Sequence, residues 1–244
     1  SLNSMITAWL KYYYPVEFIT SYLNCAKNNM EDIVSGTQLA KNLNIKINDI
    51  KFGKSIDKYS CSNGEIYKGI SSIKYLNSQV AIELYELSQN NTYNNFLDLL
   101  KDINEKTSCN NRQLEILITL NFFSDFGCND KLLKINELYN NLMSRKQIKI
   151  ADIDKLGINE ESLKKYSQTQ TAKMYKDLDM NGYISEIEPT IPNKPLNIKK
   201  QIECECEYLG SPISTWEKAE NDYYVVIDFM TYKDKSKPYL TLYQ

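Results

Sequence analysis

One stretch of this sequence has the oxygen-donor spacing of a calcium-binding loop. Residues 177–188 carry oxygen donors at positions one, three, five, nine and twelve, with Gly at position six and Ile at position eight. Pro189 and Pro192 follow at once, where an EF-hand needs its exiting helix, and no second loop offers itself as a partner. Calcium binding therefore competes with a polar turn capped by Asp or Asn.

Catalytic chemistry is strongly limited by composition. The chain has 244 residues and no histidine, which excludes a Ser-His-Asp triad, a histidine base and any histidine-containing zinc site. No glycine-rich phosphate loop and no tight acidic pair between apolar strand residues occurs. The sequence therefore predicts no catalytic residue, no bound metal and no cofactor of its own.

The basic residues are almost all lysines. Of 29 basic residues only Arg112 and Arg145 are arginines, and the formal net charge is −2, so a strongly basic coat is excluded while a local patch remains possible. Lysines and tyrosines are mixed near the C-terminus. Such residues could bind single-stranded DNA, with the lysines contacting phosphates and the rings stacking on bases, but a solvated turn can have the same composition. These residues are Lys233, Lys235, Lys237 and Tyr239.

The six cysteines form no C-x-x-C pair, which favours reduced thiols acting as small hydrophobic residues. No apolar run approaches the roughly 20 residues that a membrane helix needs, and no signal peptide is apparent. We therefore expect a cytoplasmic protein without membrane contact. Hydrophobic residues make up 42% and charged residues 25% of the chain, as in ordinary globular proteins.

Apolar periodicity predicts the elements that must position these residues. Residues 5–27 read as two helices that meet at Pro15, 31–43 as a short helix, and 45–52 as an extended stretch. An aromatic cluster in the first segment is expected to be core rather than a ligand platform. Its members are Trp9, Tyr12, Tyr13, Tyr14 and Phe18.

Two helix–turn–helix units follow and are the strongest organisational feature. The first joins helices over 66–73 and 80–87 through a break at 75–77. The second includes helices over 93–103, 112–120 and 130–143, with a break at 121–123. Read as helix-hairpin-helix units, they would bind a DNA backbone, although the usual hairpin glycines are missing. Two helical pairs that merely pack are the alternative. The candidate phosphate-facing residues are Lys68, Gly69, Lys74, Asn77, Ser78, Arg112 and Asn121, with Asn77 able to take the left-handed conformation of a missing glycine.

The remaining chain is predicted to contain a polar connector and a final pair of strands. The connector has a short helix at 160–166, and a helix over 196–209 closes at Gly210. Residues 223–227 and 238–243 read as two β-strands. We therefore expect an α+β fold that is mainly helical.

Four collinear segments together resemble the bacterial DNA polymerase III α subunit. Residues 7–18 resemble its T-A-[YW]-L-K-x-x-Y-P-x-E-F signature, and 69–74 its G-L-x-x-I-K before the first hairpin. Residues 111–127 are similar to the stretch around its second hairpin, and 205–210 to the E-x-E-x-L-G that introduces its OB-fold.

This resemblance implies a domain plan and a function. Residues 1–60 would be the end of the fingers, 61–145 the tandem helix-hairpin-helix region, 146–210 the connector, and 211–244 the first strands of a truncated OB-fold. The chain would hold primer-template or template DNA as a non-catalytic part of the polymerase. The carboxylates that hold magnesium would precede Ser1, and a sliding clamp would be a partner of the whole enzyme. A stand-alone DNA-binding replication module, or a calcium-binding or structural protein using 177–188, are the alternatives.

Overall fold

The computed structural model describes residues 2–26, 29–210, 213–214, 225–230 and 239–243. The described residues are mainly helical with small sheets, which confirms the predicted class. The chain divides into two compact units, one formed by 1–92, 102–123 and 197–244, the other by 93–101 and 124–196. No helix within the described residues is both long and apolar enough to cross a membrane.

The first unit begins with two helices that meet at a proline, as predicted. Helix α1 spans Leu2–Tyr13 and α2 spans Pro15–Ala26. Proline suits the first helical position because its missing N–H has no helical partner there. Helix α2 buries Ile19 and Leu23 against Ala40 of α3, which spans Met30–Asn42.

The expectation that the aromatic cluster is core was wrong for its first four members, Trp9, Tyr12, Tyr13 and Tyr14, which are exposed. Phe18 of α2 does pack against the buried residues of this unit. Helix α1 buries none of its residues, and Trp9 and Tyr12 are 51% and 78% exposed. The rings pack on one another instead, with 5.3 Å between the Trp9 and Tyr13 centroids. Apolar periodicity marks a face that a neighbour could cover, but it carries no information on whether one does.

A small sheet replaces the predicted first helix of the first hairpin unit. Strand β3 (Glu65–Tyr67) pairs in parallel with β1 (Ile47–Asn48) and antiparallel with β2 (Ser60–Ser62). Only Ile70–Ser72 forms a helical turn, of the 3-10 type, so the helix predicted over 66–73 was wrong. Asn63 and Gly64 both have positive φ, 54° and 80°, and join β2 to β3. An Asn-Gly pair is a strong signal for such a two-residue hairpin turn.

The helices that follow agree with the sequence prediction. Helix α4 spans Ser78–Asn90, α5 Phe96–Lys106 and α6 Asn111–Thr119. The side chain of Asn110 accepts a bond from the Gln113 N–H, and the Gln113 side chain accepts one from the Asn110 N–H. This reciprocal capping box stabilises the N-terminus of α6.

The second unit contains a sheet that the sequence did not reveal. Helix α7 (Asn129–Leu142) is followed by β4 (Gln147–Lys149), and β6 (Met174–Leu178) pairs antiparallel with both β4 and β5 (Ser167–Gln170). Helices α8 (Glu160–Lys165) and α9 (Met180–Ile187) complete it. The core contains Leu142, Ile148, Leu163, Tyr175, Tyr183 and Ile184. Part of the predicted connector thus belongs to a packed core that also includes Leu142 of α7, while the predicted domain boundaries stay a prediction.

The end of the chain follows the prediction in outline. Helix α10 spans Ile198–Leu209 and closes at Gly210, whose φ of 80° is left-handed. Strands β7 (Val225–Met230) and β8 (Tyr239–Tyr243) pair antiparallel, as predicted. Their membership of an OB-fold stays a prediction.

The cysteines should differ sharply in reactivity. Cys109 is buried, and burial, with the Glu83 carboxylate adding to it, raises the pKa of its thiol to about 12. Cys25 and Cys61 are exposed. Because the thiolate is the reactive form, we expect iodoacetamide at pH 8 to label Cys25 and Cys61 while sparing Cys109, as read by peptide mass spectrometry. Labelling of Cys109 at a comparable rate in the native protein would contradict its burial, and full labelling in denaturant is the control.

Candidate nucleic-acid interface

The first hairpin turn, residues 73–77, is built differently from the prediction. Tyr75 holds the left-handed conformation, with φ of 72°, whereas Asn77 is extended at φ −137°. Asn77 caps α4, since its side-chain oxygen accepts a hydrogen bond from the Val80 N–H at 3.0 Å. A capping residue needs an extended backbone. The left-handed role expected of Asn77 was therefore wrong, and Tyr75 has it instead.

Two amide groups of this hairpin already have partners within the chain. The Lys74 N–H donates to the carbonyl of Tyr208 in α10 at 3.0 Å, and the Leu76 N–H donates to the Ile73 carbonyl at 3.1 Å. Binding a phosphate at either amide would require that bond to break. The side chains of the turn, unlike these two amides, point to an available surface.

Two cations meet over one exposed ring, in what we call the cation–ring cluster: Lys74, Tyr75, Arg112 and Tyr208. The Arg112 guanidinium carbon lies 4.0 Å from the Tyr75 ring centroid, and the Lys74 Nζ lies 5.1 Å from it. The Tyr208 ring contacts Tyr75 in a T-shaped arrangement at 6.4 Å. Attraction between a cation and the negative face of a ring stabilises this arrangement.

The cluster carries two exposed positive charges that no described ion pair neutralises. Lys74 and Arg112 are exposed, Tyr75 is 43% exposed, and neither cation makes an ion pair with any described residue. Gln113 donates from Nε2 to the Tyr75 carbonyl at 3.1 Å, which ties the turn to the first residues of α6. An acceptor for both cations would have to come from outside these residues.

A carboxylate of α4 holds the segment that leads into α6. Glu83 accepts hydrogen bonds from the Ser108 N–H at 2.6 Å and from the Ser108 hydroxyl at 2.8 Å. These bonds, led by the one from the backbone and joined by one from Gln79, hold the pKa of Glu83 below its usual value. The start of α6, and with it Arg112, is thereby positioned relative to α4.

Two predicted phosphate-facing residues lie in other surroundings, one in an ion pair and one in the interior. The Lys68 Nζ lies 2.7 Å from the Asp49 carboxylate. Gly69 is buried, and a Cβ there would lie 2.4 Å from the backbone carbon of Lys58. Glycine is required at position 69 by close approach of two backbone segments, and the phosphate contact predicted for Gly69 stays a prediction.

The other predicted residues are scattered. Ser78 is the exposed first residue of α4, and Asn121 is exposed with φ of 62° just after α6. The Asn121 N–H donates to Ile118, so this residue closes a helix as the missing glycine would. Tyr239 begins β8. Lys233, Lys235 and Lys237 lie outside the described residues.

The calcium-loop pattern does not form a calcium loop. Asp177 lies in β6, and Asp179 caps α9 by accepting a hydrogen bond from the Gly182 N–H at 3.0 Å. Glu186 of α9 accepts bonds from Lys165 and from the Tyr166 hydroxyl, at 2.9 and 2.7 Å. A strand and a helix spread the donors apart, so the calcium alternative was wrong. Within the described residues, no group of three or more acidic or thiol side chains is placed to hold a metal ion.

Sequence reasoning missed two members of the cluster, Tyr75 and Tyr208. Tyr75 lies in the predicted break at 75–77, and a left-handed backbone is rare for a bulky residue, so no local rule assigned it that conformation. Tyr208 belongs to the E-x-E-x-L-G stretch, far away in sequence. A tyrosine where the resemblance implies a glycine was the one available signal.

The sequence is similar to known proteins at two levels, that of a motif and that of whole proteins. At the level of the motif, residues 44–133 match the helix-hairpin-helix motif family. This range contains both predicted turns and the Lys74, Tyr75 and Arg112 members of the cluster.

At the level of whole proteins, the chain is similar to DNA polymerase III α subunits, which confirms the resemblance seen in the sequence. It is 31% identical to that of Campylobacter jejuni over 137 residues, 54% of this chain and 11% of the relative. It is 28% identical to that of Treponema pallidum over 192 residues, 73% of this chain and 16% of the relative. The chain thus spans between a tenth and a sixth of the length of these relatives.

Proposed function

We propose that this chain is a non-catalytic, DNA-binding portion of a replicative DNA polymerase III α subunit. It would hold primer-template or template DNA through contacts to the phosphate backbone. The observation that carries the proposal is the exposed pair of cations, Lys74 and Arg112, which share one ring and make no ion pair with a described residue, in a chain that matches the helix-hairpin-helix motif. Backbone contacts of this kind give affinity without reading sequence.

The proposal assigns catalysis to other parts of the parent polymerase. Nucleotide addition and its magnesium ions would belong to carboxylates outside this chain, which would have no cofactor of its own. The sliding clamp would be a partner of the whole enzyme, and the setting would be the cytoplasm.

The proposal is tested by fluorescence anisotropy of labelled primer-template, duplex and single-stranded DNA against this chain across a salt series. Affinity for DNA should fall with salt, because contacts with phosphates release counterions. Arg112→Ala and Lys74→Ala should each weaken binding and reduce the salt slope by about one. Lys68→Ala is the matched control, since Asp49 already pairs with that ammonium group, and it should bind as the unaltered chain does.

Two outcomes would contradict the proposal. One is the absence of salt-dependent binding to every DNA even at low salt. The other is equal loss for Lys68→Ala and Arg112→Ala, which would indicate only general charge. Loss confined to Lys235→Ala would move the interface to the predicted OB-fold strands.

A further inference from the structure

We propose that Tyr75 is a positioning residue: its ring fixes Lys74 and Arg112 as a pair, and the first hairpin contacts DNA phosphates through these side chains rather than through the Lys74 and Leu76 amides. This inference rests on the proposed DNA-binding function and names the mode of contact.

The backbone conformation of Tyr75 is energetically unfavourable. A bulky residue with φ of 72° is strained, because its Cβ approaches the following carbonyl oxygen. Glycine would hold this conformation without strain. The ring of Tyr75 remains 43% exposed, so burial does not account for the residue.

The Tyr75 ring holds side by side two cations that repel each other. Arg112 at 4.0 Å and Lys74 at 5.1 Å from the same ring centroid come from separate elements, the start of α6 and the hairpin turn. Long basic side chains lose conformational freedom when they bind a phosphate. A ring that holds both side chains in advance lowers that cost, which is the advantage of preorganisation.

Two backbone amides of the turn are already hydrogen-bonded within the chain. The Lys74 and Leu76 amides donate to Tyr208 and Ile73, so neither is free for a phosphate. The Gln113 side chain holds the Tyr75 carbonyl at 3.1 Å and keeps the turn in place. The ligand chemistry that fits is an extended polyanion whose phosphates accept from an ammonium and a guanidinium group, as a DNA strand does.

The decisive variant is Tyr75→Gly, because it suits the left-handed backbone yet removes the ring. If the ring positions the cations, Tyr75→Gly should weaken affinity for duplex DNA by about fivefold, the size expected of exposed cation–ring contacts, while Tyr75→Phe should bind as the unaltered chain does. If the hairpin amides bind phosphate instead, Tyr75→Gly should bind equally well or more tightly, and the inference is overturned. Thermal unfolding of each variant checks that the fold is retained.

A variant cycle shows whether Tyr75 acts through Lys74 and Arg112. Adding Tyr75→Gly to the Arg112→Gln, Lys74→Gln double variant should weaken binding no further, because the ring has no role once both cations are gone. Fully additive losses would overturn the positioning role. Unaltered binding by Arg112→Gln and Lys74→Gln would overturn this inference but leave the proposed function standing, whereas no DNA binding by the unaltered chain would overturn both.

Discussion

Replacing Gly69 by alanine should destabilise the first unit by about 3 kcal/mol, the upper part of the usual range for overpacking. The added Cβ would lie 2.4 Å from the backbone carbon of Lys58 and 2.5 Å from the Asp57 carbonyl oxygen. Both are backbone atoms and cannot rotate away. To make room the chain must separate where the Ile70 N–H donates to Ile56 at 2.9 Å and the Ser71 N–H donates to Asp57 at 3.0 Å.

Gly64→Ala is the matched control for this prediction. Gly64 has φ of 80°, so alanine there is strained, but no atom lies within 4 Å of the added Cβ. Gly69 has an ordinary φ of −86°, so only the close approach opposes alanine at that position. Denaturant unfolding should show a loss of about 1 kcal/mol for Gly64→Ala and a clearly larger one for Gly69→Ala. The explanation fails if Gly69→Ala is the milder change.

Helices with a single apolar face were predictable from sequence because periodicity and caps agree. Helix α4 buries Val80, Ala81, Leu84 and Leu87, spaced as one helical face requires, and Asn77 caps it. The stop of α10 at Gly210 was equally readable. In both cases the physical causes are local, within one turn of the residues concerned.

The helix predicted over 66–73 failed because two signals competed. Ile66, Ile70 and Ile73 repeat at helical spacing, yet the Asn63-Gly64 pair directs the chain into a hairpin and Ile66 into β3. Each of these isoleucines is buried, so the apolar pattern was correct about burial and wrong about the element. A turn signal fixes chain direction, whereas a three-residue apolar repeat does not.

The candidate site was only half predictable, for a physical reason. Lys74 and Arg112 were recognisable as basic residues near predicted turns. Their meeting over Tyr75 depends on tertiary contacts between residues 38 apart, such as that between Gln113 and Tyr75. No spacing rule carries that information. The partner of Lys68, Asp49, was hidden for the same reason.

The other large effect is expected at Glu205, whose carboxylate is 3% exposed and binds four donors. Its Oε2 accepts from the Ile213 and Ser214 N–H groups at 2.7 and 2.8 Å, and its Oε1 accepts from the Ser214 hydroxyl and from Gln201 at 2.7 and 2.8 Å. Helix α10 is thereby joined to the segment that follows it. Glu205→Gln replaces one acceptor oxygen by a donor that faces other donors. We expect a loss of about 2–4 kcal/mol at pH 7, since buried donors lose their partners.

Glu207→Gln is the matched control, because Glu207 is exposed on the same helix two residues later. A surface change of this kind should alter stability by less than about 0.5 kcal/mol. Thermal unfolding of both variants would measure the difference. Equal stability of the two variants would show that the contacts of Glu205 contribute nothing net.

The pH dependence of this effect has a definite sign. Burial by itself raises the pKa of Glu205, but the hydrogen bonds from Ser214, Gln201 and Ile213 outweigh it and hold the pKa below its usual value. A carboxyl group whose pKa is lower in the folded chain stabilises the fold above its unfolded pKa of about 4.3, and loses that contribution as pH falls through the folded pKa. The stability gap between the unaltered chain and Glu205→Gln should therefore be widest near pH 7 and narrow towards pH 3, because protonation turns the carboxylate into a neutral group as the substitution does. If the stability difference stayed constant across this pH range, the destabilisation by Glu205→Gln would come from the shape of the glutamine side chain and not from the loss of the negative charge.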